Sequence, residues 1–451
     1  PNAMGPEQKA FQPAAMLQAA GFRTFTASHP AAARQTLAQA WQAAHAGAVA
    51  LLLPMNVQHA MIDPVQTDPG PPATTAPAAQ SPRPAAIQAA AGLLAQSRRP
   101  LIVAGLGAHN AGARDAIVRL ADHLGAALAT TLKAQDMFRG HPANCGILGS
   151  FSHAAGRRVM EQADCVIAIG ASLNQRTMSF GHSLPAGVPL IQVDTTRSAI
   201  GRWCPADVAI VADARRAVDH LIEALPARAP ADQPLRQPDV LEALASFRLE
   251  SEFTPAHTPR TMDPRSLALE LDRLLPRERN VVYDVGNFLQ VAPLVSVPGP
   301  SHVKHSLDFA SIGLGFGTAL GVACGRPDVP TVLFIGDGGF LMSMGELETV
   351  VRADIPLVIV LMNDCAYGAE LHYLKMHDMP VHLAKFVDVD FEPVAAAFGF
   401  TTATVRTLDE LRALAPMLER PEGPIFLDCK INGSIVAPFL LENHEQEMRK
   451  R

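Results

Sequence analysis

The stretch FIGDGGFLMSMGELETVVRADIPLVIVLMNDCAYG, residues 334–368, decides how the chain is expected to fold. It contains the end of one apolar run and the whole of a second, and an acidic residue, Asp337 or Asp364, follows each of them. The segment between the runs is long enough for a crossover helix, so the runs are predicted to be neighbouring parallel strands. Because ligands collect at the carboxyl ends of such strands, we expect the two carboxylates to converge on one point.

Glycines surround the first of these acidic residues. Gly336, Gly338 and Gly339 permit close approach of the backbone, and the helix predicted to follow presents free N–H groups to an anion. Two carboxylates beside such a backbone suit a magnesium–diphosphate complex, because Mg²⁺ takes hard oxygen ligands and shares carboxylates with ligand phosphates. The alternative is that Asp337 only caps the helix and Asp364 only begins a turn. The recurrence of the pattern at two strand ends favours the metal site.

The composition of the 451 residues disfavours several classes of protein. Two or three domains are expected at this length, and 48% apolar with 18% charged residues suits a globular protein with large buried sheets. A net charge of −6 gives no basic surface for nucleic acid or an anionic membrane, and no apolar run approaches the roughly 18 residues of a membrane helix. The cysteines lack C-x-x-C spacing and no signal pattern is recognisable, so zinc and disulfides are not expected and a cytoplasmic location is predicted. The six cysteines are Cys145, Cys165, Cys204, Cys324, Cys365 and Cys429.

Proline-rich segments divide the chain into blocks. The predicted fold class is α/β with successive doubly wound parallel-sheet domains. The first block carries one predicted helix and one predicted strand, too little for an independent domain. The later blocks alternate helical patterns, among them LDELRALAPML, with the predicted strands PLIVAG, AALATT, CVIAIG, PLIQVD, NVVYDVG, TVLFIGDG, LVIVLMND and PIFLDCKI. The predicted boundaries are 1–63, a linker at 64–84, a central domain at 85–225, a linker with one helix at 226–262, and a last domain at 263–451.

The residues around the two acidic positions resemble a known signature. Gly-Asp-Gly at 336–338, a spacer of 24 residues and Asn363-Asp364 resemble the thiamine-diphosphate signature, which is GDG, a spacer of this length and Asn-Asn. The segment RPLIVAGLGAHNAGARDAIVRLADHLGAALATTL resembles the central domain of the family of acetolactate synthase, benzoylformate decarboxylase and pyruvate decarboxylase. VVYDVGNFLQVA and ASIGLGFGTALGVACGRPDVPTVLFIGDGGF resemble its diphosphate-binding domain, whereas residues 9–54 resemble only the end of its N-terminal pyrimidine-binding domain.

The resemblance implies a set of cofactor and metal residues. Asp337 and Asp364 match the family's metal-binding side chains, and the backbone carbonyl of Ala366 matches a further ligand of Mg²⁺. Asp364 departs from the family's asparagine and so adds a negative charge near the diphosphate. Ile312 matches the bulky residue that bends the cofactor so that its aminopyrimidine nitrogen approaches the thiazolium C2 proton; plain core packing is the alternative. The other positions implied to contact thiamine diphosphate are Gly286, Asn287, Ala310, Gly336, Gly338, Gly339, Tyr367 and Gly368.

The resemblance also implies a reaction and an assembly. Family members remove the C2 proton of the cofactor to give an ylide that attacks a 2-oxo acid, and loss of CO₂ gives an enamine that is protonated or ligated. The glutamate that assists deprotonation is expected on a segment of the pyrimidine-binding domain that these 451 residues do not contain. An incomplete sequence is the favoured explanation, and a split enzyme with a partner chain or a non-catalytic cofactor-binding subunit are the alternatives. A homodimer or homotetramer with the active site between subunits is expected.

Glu370 is the most informative candidate for a catalytic role. It lies six residues after Asp364 and matches a glutamate that reaches the substrate pocket of pyruvate decarboxylase. Acetolactate synthases and benzoylformate decarboxylases usually have an apolar residue at this position. If burial raises its pKa, this carboxyl group can act as a general acid; a solvated helix position is the alternative. His305, His372 and Asp308 are weaker pocket candidates, since a lone histidine is more often structural.

The loop GLGAHNAG, residues 105–112, invites a dinucleotide-binding interpretation. Its third glycine has the wrong spacing for G-x-G-x-x-G, and no acidic residue clearly ends the next strand, so a dehydrogenase is disfavoured. Some relatives bind FAD or a nucleotide in the central domain; FAD stays open here, but no motif supports it. The sequence therefore predicts thiamine diphosphate and Mg²⁺ as cofactors and a small 2-oxo acid as substrate, without identifying the acid.

Overall fold

The computed structural model describes residues 12–45, 47–61, 79–226 and 234–450, and the chain divides into two compact units, Pro1–Ala79 and Gln80–Arg451. The first unit contains two short strands that pair in parallel, with Arg23 opposite Val49. Its helices and strands are α1 (Pro13–Ala19), β1 (Arg23–Thr26), α2 (Ala33–Ala44), β2 (Val49–Leu52) and α3 (Met55–Gln58). The sequence-based count of one helix and one strand was therefore too low; the RTFT run of β1 has only one apolar residue in four positions and gives no strand pattern.

The second unit begins with a six-stranded parallel sheet, which we call the central sheet. Its elements are α4 (Pro84–Gln96), β3 (Pro100–Ala104), α5 (Leu106–Asn110), α6 (Arg114–Leu124), β4 (Ala127–Thr130), β5 (Asn144–Ile147), α7 (Ala154–Met160), β6 (Cys165–Ile169), β7 (Leu190–Asp194), β8 (Val208–Val211) and α8 (Ala214–Ala224). The strand order is β5-β4-β3-β6-β7-β8, so the chain changes direction across the sheet between β3 and β6. The sheet is buried on both faces, since Leu101 and Val103 enter one apolar cluster and Ile102 and Ala104 enter another.

The rest of the second unit forms another six-stranded parallel sheet, which we call the C-terminal sheet. Its elements are α9 (Pro238–Ser246), α10 (Pro264–Leu274), β9 (Asn280–Tyr283), β10 (Val303–His305), α11 (Leu314–Gly325), β11 (Thr331–Gly336), α12 (Asp337–Ser343), α13 (Glu346–Arg352), β12 (Leu357–Asn363), α14 (Gly368–Met376), α15 (Glu392–Phe398), β13 (Thr401–Val405), α16 (Leu408–Ala413), α17 (Ala415–Glu419), β14 (Ile425–Lys430) and α18 (Pro438–Lys450). The strand order is β10-β9-β11-β12-β14-β13. Helices cover both faces here too, because Val332 and Phe334 enter one cluster and Leu333 and Ile335 another.

The predicted fold class is confirmed, and the eight predicted strands of the two later blocks are all present. Four edge strands were missed, because they are short and, apart from the apolar β8, contain polar residues: β5, β8, β10 and β13. The pattern LDELRALAPML was predicted as one helix, but α16 ends before Ala415 and α17 begins there, since Pro416 lacks an N–H group and favours the first turn of a new helix.

The two predicted linkers fall only partly on described residues. Most of 64–84 and the part 227–233 of the second linker lie outside them, whereas the helix predicted within 226–262 is α9. The domain boundaries themselves stay a prediction. Within the described part of the chain, no helix is long and apolar enough to cross a lipid bilayer.

Candidate active site

The two acidic residues singled out in the sequence lie at the tips of neighbouring strands. Gly336 pairs with Met362 in the register of β11 and β12, and Asp337 and Asp364 each follow the last paired positions. Both line one small cavity of about 30 Å³. Asp337 is 2% exposed, and its Oδ2 accepts a hydrogen bond at 3.1 Å from the backbone N–H of Ala366, in the loop after β12. The structure thus brings the two acidic residues and Ala366 together.

The electrostatic environment of the pair is unfavourable for two ionised carboxylates. Burial, and then the charge of Asp364, raise the pKa of Asp337 to about 8. Burial raises the pKa of Asp364 to about 7, and the nearby charge of Glu370 acts in the same direction. Backbone N–H donors offset only part of these effects. A cation held between the two oxygens would remove the repulsion, so the arrangement suits a divalent metal ion.

Two glycines allow the loops around the small cavity to approach each other. A Cβ atom on Gly338 would lie 2.6 Å from Cδ1 of Tyr367, and one on Gly368 would lie 2.4 Å from Oδ2 of Asp364. A side chain at either position would therefore require the ring of Tyr367 or the carboxylate of Asp364 to move. Glycine at both positions lets these two side chains keep their places in the site, independently of any ligand.

Asp284, which the sequence analysis did not single out, organises the neighbouring loop. It follows β9 and is fully buried, and it accepts hydrogen bonds from the backbone N–H groups of Gly313 at 2.7 Å and Gly315 at 3.1 Å. These bonds hold the segment before α11 and thereby place the half-buried Ile312 beside the small cavity. The signal for Asp284 was present in the sequence, since the run YDVG puts a third acidic residue after a strand of the same sheet.

A second and larger cavity of about 750 Å³ adjoins the small one, and residues from the loops of both the central and the C-terminal sheet line it. Five residues line both cavities: Val285, Gly286, Ile312, Ala369 and Glu370. The predicted cofactor residues divide between the two. Ala310 lines only the larger cavity, and those that line only the small cavity are Asn287, Gly336, Asp337, Gly338, Gly339, Asp364, Ala366, Tyr367 and Gly368.

Asn287 has a structural task in addition to its position in the cavity wall. Its Nδ2 donates to the carbonyl oxygen of Ile435 at 2.8 Å, and its Oδ1 accepts from the backbone N–H of Ala437 at 2.8 Å. The side-chain amide is thus occupied by the chain segment that leads into α18. The amide nitrogen has a second N–H, so the implied contact of this residue with a diphosphate can come from the side chain or from the backbone.

Glu370 lies in the first turn of α14 and lines both cavities. Its side chain is exposed in this chain. The position is nevertheless close enough to Asp364 for its charge to raise the pKa of that residue. Glu370 is therefore placed where the two cavities meet, with its carboxylate available to a ligand or to another subunit.

Of the weaker candidates from the sequence, the two histidines lie apart from these groups. His305 ends β10 and stacks on Tyr283 with ring centroids 5.3 Å apart; burial lowers its pKa to about 3, and its ring is neutral. His372 is 2% exposed, and burial lowers its pKa as well. Neither histidine lines either of the two cavities. Asp308 does line the larger cavity, where it forms an ion pair with Lys133.

Comparison with known proteins shows which protein family these residues match. Residues 87–221 match the model for "Thiamine pyrophosphate enzyme, central domain", and residues 284–429 match that for "Thiamine pyrophosphate enzyme, C-terminal TPP binding domain". Together the two matches cover more than half of the chain and include Ile312, Asp337 and Asp364. They confirm the resemblance that the sequence motif indicated.

Individual relatives agree with the family models. A protein named "Probable acetolactate synthase large subunit" from Methanocaldococcus jannaschii is 27% identical over 406 residues, which is 87% of this chain and 68% of that protein. A sulfoacetaldehyde acetyltransferase from Roseovarius nubinhibens is 29% identical over 78% of this chain and 63% of its own length. A protein named "Probable 2-ketoarginine decarboxylase" from Pseudomonas aeruginosa is 30% identical over 72% of this chain and 57% of its own.

The matched regions thus span about two thirds or less of the length of these relatives. The carboxylate pair, the glycine-lined cavity and Ile312 all lie inside the segment that matches the cofactor-binding model. The chain belongs to the thiamine pyrophosphate enzyme family.

Proposed function

We propose that this chain binds thiamine diphosphate through Mg²⁺, and that the enzyme it belongs to decarboxylates a small 2-oxo acid or joins the resulting fragment to an acceptor. The observation that carries the proposal is the pair of carboxyl groups at neighbouring strand tips, the buried Asp337 and the half-buried Asp364, with raised pKa values. The names of the relatives support both outcomes, since they include a decarboxylase, a synthase and an acetyltransferase.

The donor set at the strand tips fits Mg²⁺. Asp337 and Asp364 supply carboxylate oxygens and Ala366 supplies a backbone carbonyl, all of them hard ligands. No group of three or more histidine, cysteine or acidic side chains suited to a metal occurs in the described part of the chain. A softer metal with an all-protein coordination sphere is therefore disfavoured, and the remaining positions around Mg²⁺ are left for water and for ligand phosphates.

The residues beside the metal ligands suit a phosphorylated cofactor. Gly338 and Gly339 bring the backbone up to the small cavity without side chains, and Gly286 does the same from the loop after β9. Ile312 lies at the boundary with the larger cavity, where an apolar surface can support the organic part of the cofactor. When bound, thiamine diphosphate supplies the electron sink that carbanion chemistry requires.

Glu370 is the side chain of this chain best placed to move a proton during the reaction. It borders both cavities, so its carboxyl oxygens can reach a substrate that lies over Ile312. Its exposure is consistent with an active site that is completed by another subunit, as in a homodimer or homotetramer, because the second surface would bury the carboxyl group. The six free cysteines are consistent with a reducing compartment such as the cytoplasm.

The proposal is tested by measuring binding and turnover separately. The full chain is titrated with thiamine diphosphate in the presence and absence of Mg²⁺ by calorimetry, and CO₂ release is followed with pyruvate, benzoylformate and 2-ketoarginine. We expect Mg²⁺-dependent binding of the cofactor and CO₂ release with at least one acid. Binding without turnover would favour the non-catalytic or split subunit, and absence of Mg²⁺-dependent binding would overturn the proposal.

A further inference from the structure

A buried polar network lies behind the loop that carries the proposed metal ligands. Asn363 ends β12, and Asp428 and Lys430 lie on the neighbouring strand β14, with Asn363 opposite Lys430 in the register. Asp428 and Lys430 are two residues apart, so their side chains leave the same face of the sheet. All three residues are at most 2% exposed. Three polar side chains in such a position require mutual hydrogen bonds, since burial of unpaired polar groups is costly.

The contacts form an unbroken chain of hydrogen bonds. Nζ of Lys430 lies 3.1 Å from Oδ2 of Asp428, and it also donates to the carbonyl oxygen of Val389 at 2.7 Å. Oδ1 of Asp428 accepts from Nδ2 of Asn363 at 2.8 Å. Oδ1 of Asn363 in turn accepts from the backbone N–H of Cys365 at 3.2 Å. The chain of bonds therefore runs from a buried ammonium group to the loop backbone between Asp364 and Ala366.

The last hydrogen bond of this network ends at a residue whose backbone conformation is unfavourable. Cys365 has φ = +57°, the left-handed region that a residue with a side chain adopts at a cost. Because it lies between Asp364 and Ala366, its conformation determines where the side chain of the first and the carbonyl of the second point. The N–H of Ala366 also donates to Asp337, so a change at Cys365 would reach both acidic residues.

Lys430 is the charge on which the network depends. Asp428 is fully buried, and without the ammonium group its carboxylate would be uncompensated. Burial lowers the pKa of Lys430, but the charges of Asp428 and Asp388 outweigh this effect, and its pKa lies above the ordinary value. The lysine therefore stays protonated. Asp388, at 3.1 Å, connects the network to the surface, where Arg260 lies 3.3 Å from the same carboxylate.

We infer that Lys430 and Asp428 are positioning residues that, through Asn363, hold the loop at 363–366 in its metal-binding conformation. The inference rests on the proposed function, because it concerns the same metal site. It adds residues that touch neither metal nor cofactor and that lie more than 60 positions along the chain from the loop they support. Outer partners of this kind commonly change metal affinity by about 10–100-fold when they are removed.

The test compares Lys430→Met with the matched control Arg260→Met. Both remove a cation that contacts Asp388, but only the first removes the partner of Asp428. The dissociation constant of Mn²⁺ in the presence of thiamine diphosphate is measured by electron paramagnetic resonance on the full chain, and folding is monitored by circular dichroism. We expect Mn²⁺ binding to weaken about 10–100-fold in Lys430→Met and to change less than about twofold in Arg260→Met.

The outcomes separate this inference from the function on which it rests. If folded Lys430→Met binds Mn²⁺ as tightly as the wild type, or if both variants lose the same affinity, the positioning role is refuted. If the wild type binds no Mn²⁺ with the cofactor, the proposed function fails first. Should Lys430→Met not fold, Asn363→Ala carries the test, because it removes the acceptor of the Cys365 N–H and leaves the Lys430–Asp428 pair in place. Unchanged Mn²⁺ binding in that variant would refute the role as well.

Discussion

The central and the C-terminal sheets share one architecture but use their strand tips differently. In the central sheet the chain leaves β3 and β6 through Gly105 and Gly170, and these loops pack backbone against backbone: a Cβ atom on Gly105 would lie 2.2 Å from the carbonyl oxygen of Gly170. In the C-terminal sheet the corresponding tips of β11 and β12 lead into the buried Asp337 and the half-buried Asp364, two acids with raised pKa values. The difference shows that the fold provides a place for a site and that the tip residues determine its chemistry.

The largest effect is expected from removing charge at the C-terminal tips. Asp337→Asn keeps the size of the side chain but removes one carboxylate from the proposed metal site. We expect Mg²⁺-dependent cofactor binding to weaken at least about 100-fold, beyond the usual loss for an outer partner, because a direct ligand is lost. Calorimetric titration with thiamine diphosphate at fixed Mg²⁺ measures this change. An affinity within threefold of the wild type would show that Asp337 is no ligand.

A comparable effect, on turnover and not on cofactor binding, is expected from a substitution of Glu370, where the two cavities meet. Glu370→Gln removes a proton-transfer group while keeping a side chain of the same shape. We expect kcat to fall about 100-fold while the affinity for cofactor changes little, since such groups contribute about 10²–10⁴-fold to rate. Steady-state kinetics and cofactor titration on the same sample separate the two. Equal loss of turnover and cofactor affinity would refute the role.

A substitution at a strand tip of the central sheet should lower the stability of the fold and leave metal binding unchanged. Gly105→Ala places a methyl group against the carbonyl of Gly170, and overpacking of this kind costs about 1–3 kcal/mol of the free energy of unfolding. Urea denaturation should show this loss, while Mn²⁺ binding by the folded protein should be unchanged. A loss of metal affinity without a loss of stability would mean that the tips of the two sheets are functionally coupled, contrary to the comparison.

The smallest change is expected from restoring the family's asparagine. The pKa values of about 8 and about 7 mean that below pH 7 both carboxyl groups keep a proton that Mg²⁺ must displace, so affinity falls as pH falls. Asp364→Asn leaves one proton to displace and lowers the pKa of Asp337, because a neighbouring charge is removed. Titrations at pH 6, 7 and 8 should show an affinity for Mg²⁺ that depends on pH at most about half as steeply as in the wild type. If the affinity of the variant and that of the wild type depend on pH equally steeply, the two acids do not act as a pair.

The sequence was sufficient for the parts of the molecule that are determined locally. The continuous apolar runs of β11 and β12 predicted buried parallel strands, and the acids after them predicted the place of the site. The short edge strands β5, β8, β10 and β13 were missed, because their burial depends on neighbours that are distant in sequence. Lys430 was missed for the same reason, since a lysine at a strand end gives no sign of the buried carboxylate that it faces.

Location of the metal tests the central claim most directly. Crystals of the full chain grown with thiamine diphosphate and Mn²⁺ in place of Mg²⁺ would show the ion by its anomalous scattering. The account predicts one strong peak in coordination contact, about 2.0–2.3 Å, with an oxygen of Asp337 and an oxygen of Asp364. A peak bound by only one of them, or one located away from the tips of β11 and β12, would contradict it.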